Sequence, residues 1–285
     1  MTPSTSLATG LATTLAVRSE LRYDVGLTAS FAFAVAAERN DRQHILHETV
    51  TLIPALPFEL VSFGEGGTHQ LIRVDVEPGW FTLAYEAVVE VHPNPGDPAL
   101  LTETPFRQVP ADLLPYLNPS RYCESDKMYD LVGRLFGELE PGYARVQAVS
   151  DWVTSELTYS AGSTDASSGT ADVLLQRAGV CRDFAHVAIS LCRALGVPAR
   201  YVSGYGKGVE PQDFHGVFEA YLGGEWWLFD PTGMVAPTDF VRIGYGRDAA
   251  DASFATFVGQ AMLTDKVVDV TRLAQSSNST HGSPT

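Results

Sequence analysis

The hydrophobic pattern changes period once along the chain, and that change limits the fold more than any other feature. Over roughly the first 100 residues, apolar side chains recur at every second position, the mark of strands with one buried face. Leu21, Tyr23 and Val25 alternate with Glu20, Arg22 and Asp24. Ile72, Val74 and Val76 alternate with Arg73 and Asp75. Leu83, Tyr85, Ala87, Val89 and Val91 alternate with a more polar set that includes Thr82, Glu86 and Glu90. No helical stripe interrupts them, so strand follows strand, which predicts an antiparallel sandwich or small barrel.

Seven of the 17 prolines then fall together, at Pro93, Pro95, Pro98, Pro105, Pro110, Pro115 and Pro119. Proline resists helix interiors and central strands, so this stretch reads as a connector with a boundary near 100–118. Beyond it the period is 3.6. Met128, Leu131, Val132, Leu135, Phe136 and Leu139 follow helical spacing up to Pro141-Gly142, and Tyr143, Val146, Ser150, Val153 and Leu157 mark a second helix. A polar loop, Ser160 to Gly169, leads to Thr170 as N-cap of a short helix that ends at Ala178-Gly179. Phe184, Val187, Ala188, Leu191, Cys192 and Leu195 give the clearest amphipathic helix, closed by Gly196 and Pro198. Strand-like runs follow at Arg200–Tyr205, His215–Leu222, Trp226–Phe229 and Val267–Val270. The expectation is an N-terminal antiparallel β-sandwich domain over 1–110, an α+β domain over 111–274 with helices first and sheet after, and a disordered tail over 275–285.

Composition excludes several functions. The 285 residues are 45% hydrophobic and 10% aromatic, enough for a buried core and against a disordered chain. Nineteen Lys and Arg against 34 Asp and Glu leave a net charge of −15. Acidic groups are spread over both halves, so the charge predicts solubility, no nucleic-acid partner and no anionic membrane partner. Three separated cysteines, Cys123, Cys181 and Cys192, make no disulfide framework and no C-x-x-C pair for zinc or redox work. The N-terminus lacks the basic and apolar regions of a signal peptide, and the most apolar stretch, Ala29 to Ala37, is too short to span a bilayer. A reduced, cytoplasmic protein is expected.

Chemistry concentrates in the second half. Cys181 stands at the predicted start of the strong helix, where unpaired N–H groups and the helix dipole favour a nucleophilic thiolate. Most free cysteines are small buried hydrophobes, and Cys192 fits that description on the apolar stripe of the same helix. A thiol nucleophile needs a base, and the base an orienter. Gly223-Gly224 signals a two-residue hairpin between Phe214–Leu222 and Glu225–Asp230. Counting outward pairs Leu222 with Glu225, Tyr221 with Trp226, Glu219 with Leu228 and Val217 with Asp230. His215 and Asp230 then share a face as diagonal neighbours, whereas a one-residue slip would part them. Singly, a strand histidine is packing and an Asp before proline is a turn residue. Together with Cys181 they form a Cys–His–Asp set.

Here the sequence resembles a known family. Thr170-Ala171-Asp172-Val173-Leu174, the run Arg177 to His186 and the continuation Cys192 to Tyr205 are similar to the nucleophile region of the bacterial transglutaminase-like superfamily. The His215 strand, Trp227-Leu228-Phe229-Asp230-Pro231-Thr232 and Gly246 to Asp251 resemble its later motifs. The resemblance runs from about Trp152 to Asp251, and the β-rich first half is similar in placement to the accessory domain of many bacterial members. It implies a papain-like α+β core, Cys181 as nucleophile, His215 as base and Asp230 as orienter. The implied reaction is attack on a peptide or protein carboxamide to give a thioester, resolved by water or by a second amine. No carboxylate cluster resembles a calcium site, and no cofactor or metal is expected. Two rivals stand beside it: a cysteine peptidase or amidase that uses only water, and a binding module with a vestigial site. The Cys181 N–H is a candidate oxyanion donor. Tyr159 is a candidate for a second, with a packed aromatic as the simpler reading. His186 and the set Arg247, Asp248 and Asp251 read as structural, and Asp183 as a partner of Arg182. The loops 160–169 and 206–213 read as cleft rims.

Overall fold

The computed structural model describes residues 12–274, so the tail expected over 275–285 lies outside the described residues. The first half is all strand: β1 (Thr13–Phe33), β2 (Gln43–Ile53), β3 (Glu59–Phe63), β4 (His69–Val76) and β5 (Gly79–Val91). After a series of 3-10 segments come α1 (Tyr129–Phe136), α2 (Tyr143–Glu156), β6 (Thr158–Tyr159), α3 (Thr170–Gln176), β7 (Ala178–Gly179) and α4 (Cys181–Ala194). The chain closes with β8 (Ala199–Gly206), β9 (Phe214–Leu222), β10 (Glu225–Phe229), β11 (Phe240–Gly246) and β12 (Ala255–Arg272). The architecture is α+β, with an N-terminal antiparallel sheet followed by helices and a second, four-stranded antiparallel sheet.

The N-terminal sheet has the order β2-β5-β1-β4-β3, with β12 paired to β1. It reaches the two-layered form of a sandwich by bending one sheet. Tyr23 and Phe33 both lie on β1, with ring centroids 5.8 Å apart; a straight strand would hold positions ten residues apart about 33 Å from each other. The bend falls where the β1–β12 register shifts, between Val25 and Leu27 and again before Ser30. Gly259 lies there at φ +130°, and a Cβ on it would meet the Thr28 carbonyl oxygen at 2.6 Å.

One boundary differs from the sequence expectation. Residues 255–272, expected in the second domain, form the longest neighbour of β1, from Leu15↔Arg272 to Phe33↔Ala255. The sequence shows a strand only at Val267–Val270 of this segment, and it does not show which sheet that strand joins. β11 is likewise absent from the sequence reading, because Phe240–Gly246 has no clean alternation and is buried at all but one position.

The second sheet runs β10-β9-β8-β11. Tyr201, Phe218, Ala220, Leu222 and Phe229 pack beneath the helices. Tyr205, Val241 and Ile243 instead join the core of the N-terminal sheet. α4 is buried from Asp183 to Arg193, so its polar positions do not face solvent as an amphipathic helix would. They are bonded inside. Arg193 donates to the carbonyls of Ala199 and Asn118, and Ser190 to that of His186. α3 begins one residue earlier than expected: Gly169 is the N-cap, its N–H accepted by Asp172 at 2.9 Å. Thr170 turns inward to the Tyr122 carbonyl and the Ser190 hydroxyl. No helix among the described residues is long and apolar enough to cross a membrane.

Candidate active site

Local chemistry places each member of the expected set. Cys181 is the first residue of α4. Asp183 fixes that helix start by accepting the Val180 N–H at 2.9 Å, and it accepts the Thr164 hydroxyl as well. Its pairing with Arg182 is present at 3.2 Å. Arg182 also donates to the Asp165 carbonyl, which ties the loop 160–169 to the first turn of α4.

The hairpin has the counted register: Leu222↔Glu225, Tyr221↔Trp226 and Leu228↔Glu219. Gly223 and Gly224 adopt φ +61° and +91°, the positive pair that a type I′ turn requires. The register brings His215 Nε2 to 3.0 Å from Asp230 Oδ2. Asp230 is further cradled by donors in its own turn. Oδ1 accepts the Thr232 N–H at 2.9 Å and the Thr232 hydroxyl at 2.7 Å, and Oδ2 accepts the Val235 N–H at 2.9 Å. Burial works to raise the Asp230 pKa. The bond and charge of His215 and the Thr232 donors outweigh it and hold the carboxyl below its ordinary value.

His215 is buried, and its Nδ1 has no hydrogen-bond partner by strict geometry. Cys181 is the group that acts on the ring from the other side. Burial pulls the imidazole pKa down. The bond to Asp230, then the nearness of Cys181, outweigh burial and raise it from 6.5 to about 9. The protonated ring is therefore favoured, with the Asp230 carboxylate on one nitrogen.

The other two cysteines have a different setting. Cys123 and Cys192 are fully buried, and burial drives both thiol pKa values up, that of Cys123 to about 12. Cys181 is the partly exposed one of the three.

Tyr159 lies against the nucleophile position and does more than pack. Burial first, then the neighbouring Cys181, raises its hydroxyl pKa to about 12. Its ring leans on Phe184, 5.9 Å between centroids, which is the packing role also expected of it.

The residues read as structural are bonded as such. His186 accepts the Ala249 N–H on Nε2, stacks on Tyr122 at 5.1 Å, and is held neutral by burial, its pKa near 3. Arg247 pairs with Asp251 at 2.8 Å. Asp248 stands apart from that pair: it is buried and accepts the N–H groups of Tyr122 and Ala250. Thr232 and Val235 escaped the sequence reading. Asp-Pro-Thr was their signal, since an Asp at a turn recruits donors two residues on. Among the described residues no three His, Cys, Asp or Glu side chains converge as a metal site. A groove of about 490 Å³ lined by Phe31, Phe58 and Val258 lies on the N-terminal sheet and involves none of these groups.

Comparison with known proteins bears on this geometry. Residues 129–231 match the model of the transglutaminase-like superfamily, and residues 14–100 match the bacterial transglutaminase N-terminal domain. An uncharacterised protein of Mycobacterium leprae is 31% identical over 269 residues, 88% of this chain and 95% of that one. An uncharacterised protein of Mycobacterium tuberculosis is 29% identical over 283 residues, 89% of each chain. A solved structure from Cytophaga hutchinsonii, named as a candidate cysteine protease, is 38% identical with a TM-score of 0.87 and covers 93% of this chain and 92% of its own.

Proposed function

The chain belongs to the transglutaminase-like superfamily, and on that premise we propose that it is a thiol-dependent acyl-transfer enzyme acting on peptide or protein carboxamides. One observation carries the reading. A buried histidine has a carboxylate on one nitrogen, and a partly exposed cysteine at a helix start acts on it from the other side.

In the first half-reaction the Cys181 sulfur attacks the carboxamide carbon. His215 takes the thiol proton and passes it to the departing nitrogen, so ammonia or an amine leaves and a thioester remains. Asp230, held ionised by Thr232 and Val235, fixes the imidazole tautomer and offsets the imidazolium charge. The carbonyl oxygen gains charge in the transition state. The Cys181 N–H and the Tyr159 hydroxyl meet at the nucleophile and are the donors proposed for it. In the second half-reaction water or a primary amine gives up a proton to His215 and attacks the thioester, and the sulfur leaves.

A reading confined to water, as in a cysteine peptidase or amidase, is favoured by the name of the Cytophaga relative. Both readings share the thioester, so one experiment tests both. Incubation with glutaminyl peptides, with and without a labelled primary amine, should release ammonia, and the label should enter the peptide if transfer competes with water. Release without label identifies the hydrolase. Full activity in Cys181→Ala would sink both readings, as would iodoacetamide labelling of Cys123 or Cys192 ahead of Cys181.

A further inference from the structure

The position of His215 depends on what holds the residues just before it. Phe214 opens β9, and its ring stacks on Phe254 at 5.1 Å with the planes 15° apart. Its other aromatic neighbour is Tyr205, 5.4 Å away. Both neighbours are tied to the N-terminal sheet. The Tyr205 hydroxyl donates to the Val35 carbonyl at 2.6 Å and lies 2.9 Å from the Ser19 hydroxyl on β1. Phe254 immediately precedes β12, and its carbonyl accepts the Ala34 N–H at 3.0 Å, just past the end of β1.

One residue further back, Asp213 accepts the Phe214 N–H at 2.7 Å and pairs with Lys266 of β12 at 2.6 Å. The Lys266 ammonium also lies 5.8 Å from the Phe254 ring. The Asp213–Lys266 pair is half exposed and contributes little by itself. The stacked rings have a fixed plane and angle, and they set the direction in which β9 starts. An imidazole that must meet a carboxylate and a sulfur at once tolerates little error in that direction.

We propose that Phe254 is a positioning residue for His215: through Phe214 the N-terminal sheet sets the angle of the imidazole toward Asp230 and Cys181. The proposal rests on the reading of Cys181, His215 and Asp230 as the working set. It gives the N-terminal sheet a role inside the catalytic site, in place of a separate docking module.

The test uses the full chain and ammonia release from a glutaminyl peptide, followed over pH together with Tm. The ionisable groups acting on His215 are Asp230, after β10, and Cys181, on α4. Loosening either contact lets the imidazole pKa fall back from about 9 toward 6.5. Phe254→Ala should therefore lower kcat by about tenfold or more with KM unchanged, and move the alkaline limb of the profile to lower pH. Phe254→Tyr, which keeps the flat face, should recover both, and Lys266→Met should give a smaller change of the same kind. If Phe254→Ala fails to fold, Phe254→Leu replaces it. A Phe254 variant that loses Tm but keeps kcat and the alkaline limb would overturn the proposal. Activity in His215→Ala would overturn the reading of the site and the proposal together, so the two failures are distinguishable.

Discussion

Strand β9 carries two buried ionisable groups on one face, His215 and Glu219, and the protein treats them in opposite ways. Glu219 is fully compensated. One carboxylate oxygen accepts from Arg200 at 2.7 Å and the other from Arg242 at 2.8 Å. Arg200 is itself sandwiched between the rings of Trp226 and Tyr245, at 4.2 and 3.6 Å. Burial favours the neutral acid, but the two guanidinium groups outweigh it and hold Glu219 below its ordinary pKa. His215 has one fixed counter-charge and one nitrogen turned to a sulfur. The fully paired group gains nothing by exchanging a proton, so its role is architectural. The half-paired group is poised to do so.

The largest effect should separate the two ends of the strand. His215→Ala should lower turnover by roughly 10²–10⁴-fold while the protein stays folded. Glu219→Gln should leave the turnover of the folded fraction near that of the parent. The comparison breaks if folded Glu219→Gln is as inactive as His215→Ala.

The second effect is on stability and runs the other way. Removing one partner of a buried charge set leaves the others uncompensated, at about 3–5 kcal/mol. Glu219→Gln leaves two buried guanidinium groups without their bonded carboxylate, with only the charge of Glu38 nearby, and should show that loss in denaturant unfolding. His215→Ala strands an Asp230 that keeps three turn donors, and should lose much less. Equal losses would remove the distinction between the two sites.

How much of this contrast the sequence showed follows from which interactions are local. The hairpin is local: two glycines set the turn, the turn sets the register, and the register brings His215 to Asp230. That part was legible, as was the nucleophile helix. The Glu219 site is not local. Arg200 arrives from β8 and Arg242 from β11, a strand the reading did not find. The available signal was a charged residue in an otherwise apolar strand, repeated at Glu219, Arg200 and Arg242. Only Val267–Val270 of β12 was recognised as strand, and not as the partner of β1, because nothing within a strand names a neighbour more than 200 residues away. The β-rich first half was legible from alternation at β1, β4 and β5, whereas β2 and β3 show no clean alternation and were not. Its bend was not, since the bend is set by register shifts between distant strands.

A third effect concerns pH and is smaller. The His215 pKa is raised from 6.5 to about 9 on folding. Its contribution to stability is therefore full below pH 6.5 and is lost as pH rises through about 9. The span is at most about 3 kcal/mol. Asp230, whose pKa is depressed, contributes in the opposite sense and loses its share as pH falls through its folded value. Between pH 6.5 and 9 the parent should lose Tm more steeply than His215→Ala. Parallel curves would show that His215 does not gain its proton from the fold.

The smallest effect tests whether the half-paired site depends on its own turn. Thr232 gives Asp230 two donors, a main-chain N–H at 2.9 Å and a hydroxyl at 2.7 Å. Thr232→Val keeps shape and main chain but removes the hydroxyl. A hydrogen bond to a charged group is worth about 1.5–3 kcal/mol, yet the remaining donors and water can take up part of that loss. The Asp230 carboxylate loses one of the donors that fix its orientation, so it holds the imidazole less firmly in place. The expected result is a several-fold drop in kcat with KM unchanged, restored by Thr232→Ser. The corresponding change at the other site, Arg242→Lys, should alter Tm and leave kcat alone, because a lysine keeps the charge on Glu219 but not the planar fork. If Thr232→Val moved only Tm, Asp230 would be held by the hairpin rather than by its turn, and the two buried sites on β9 would differ less than their bonds suggest.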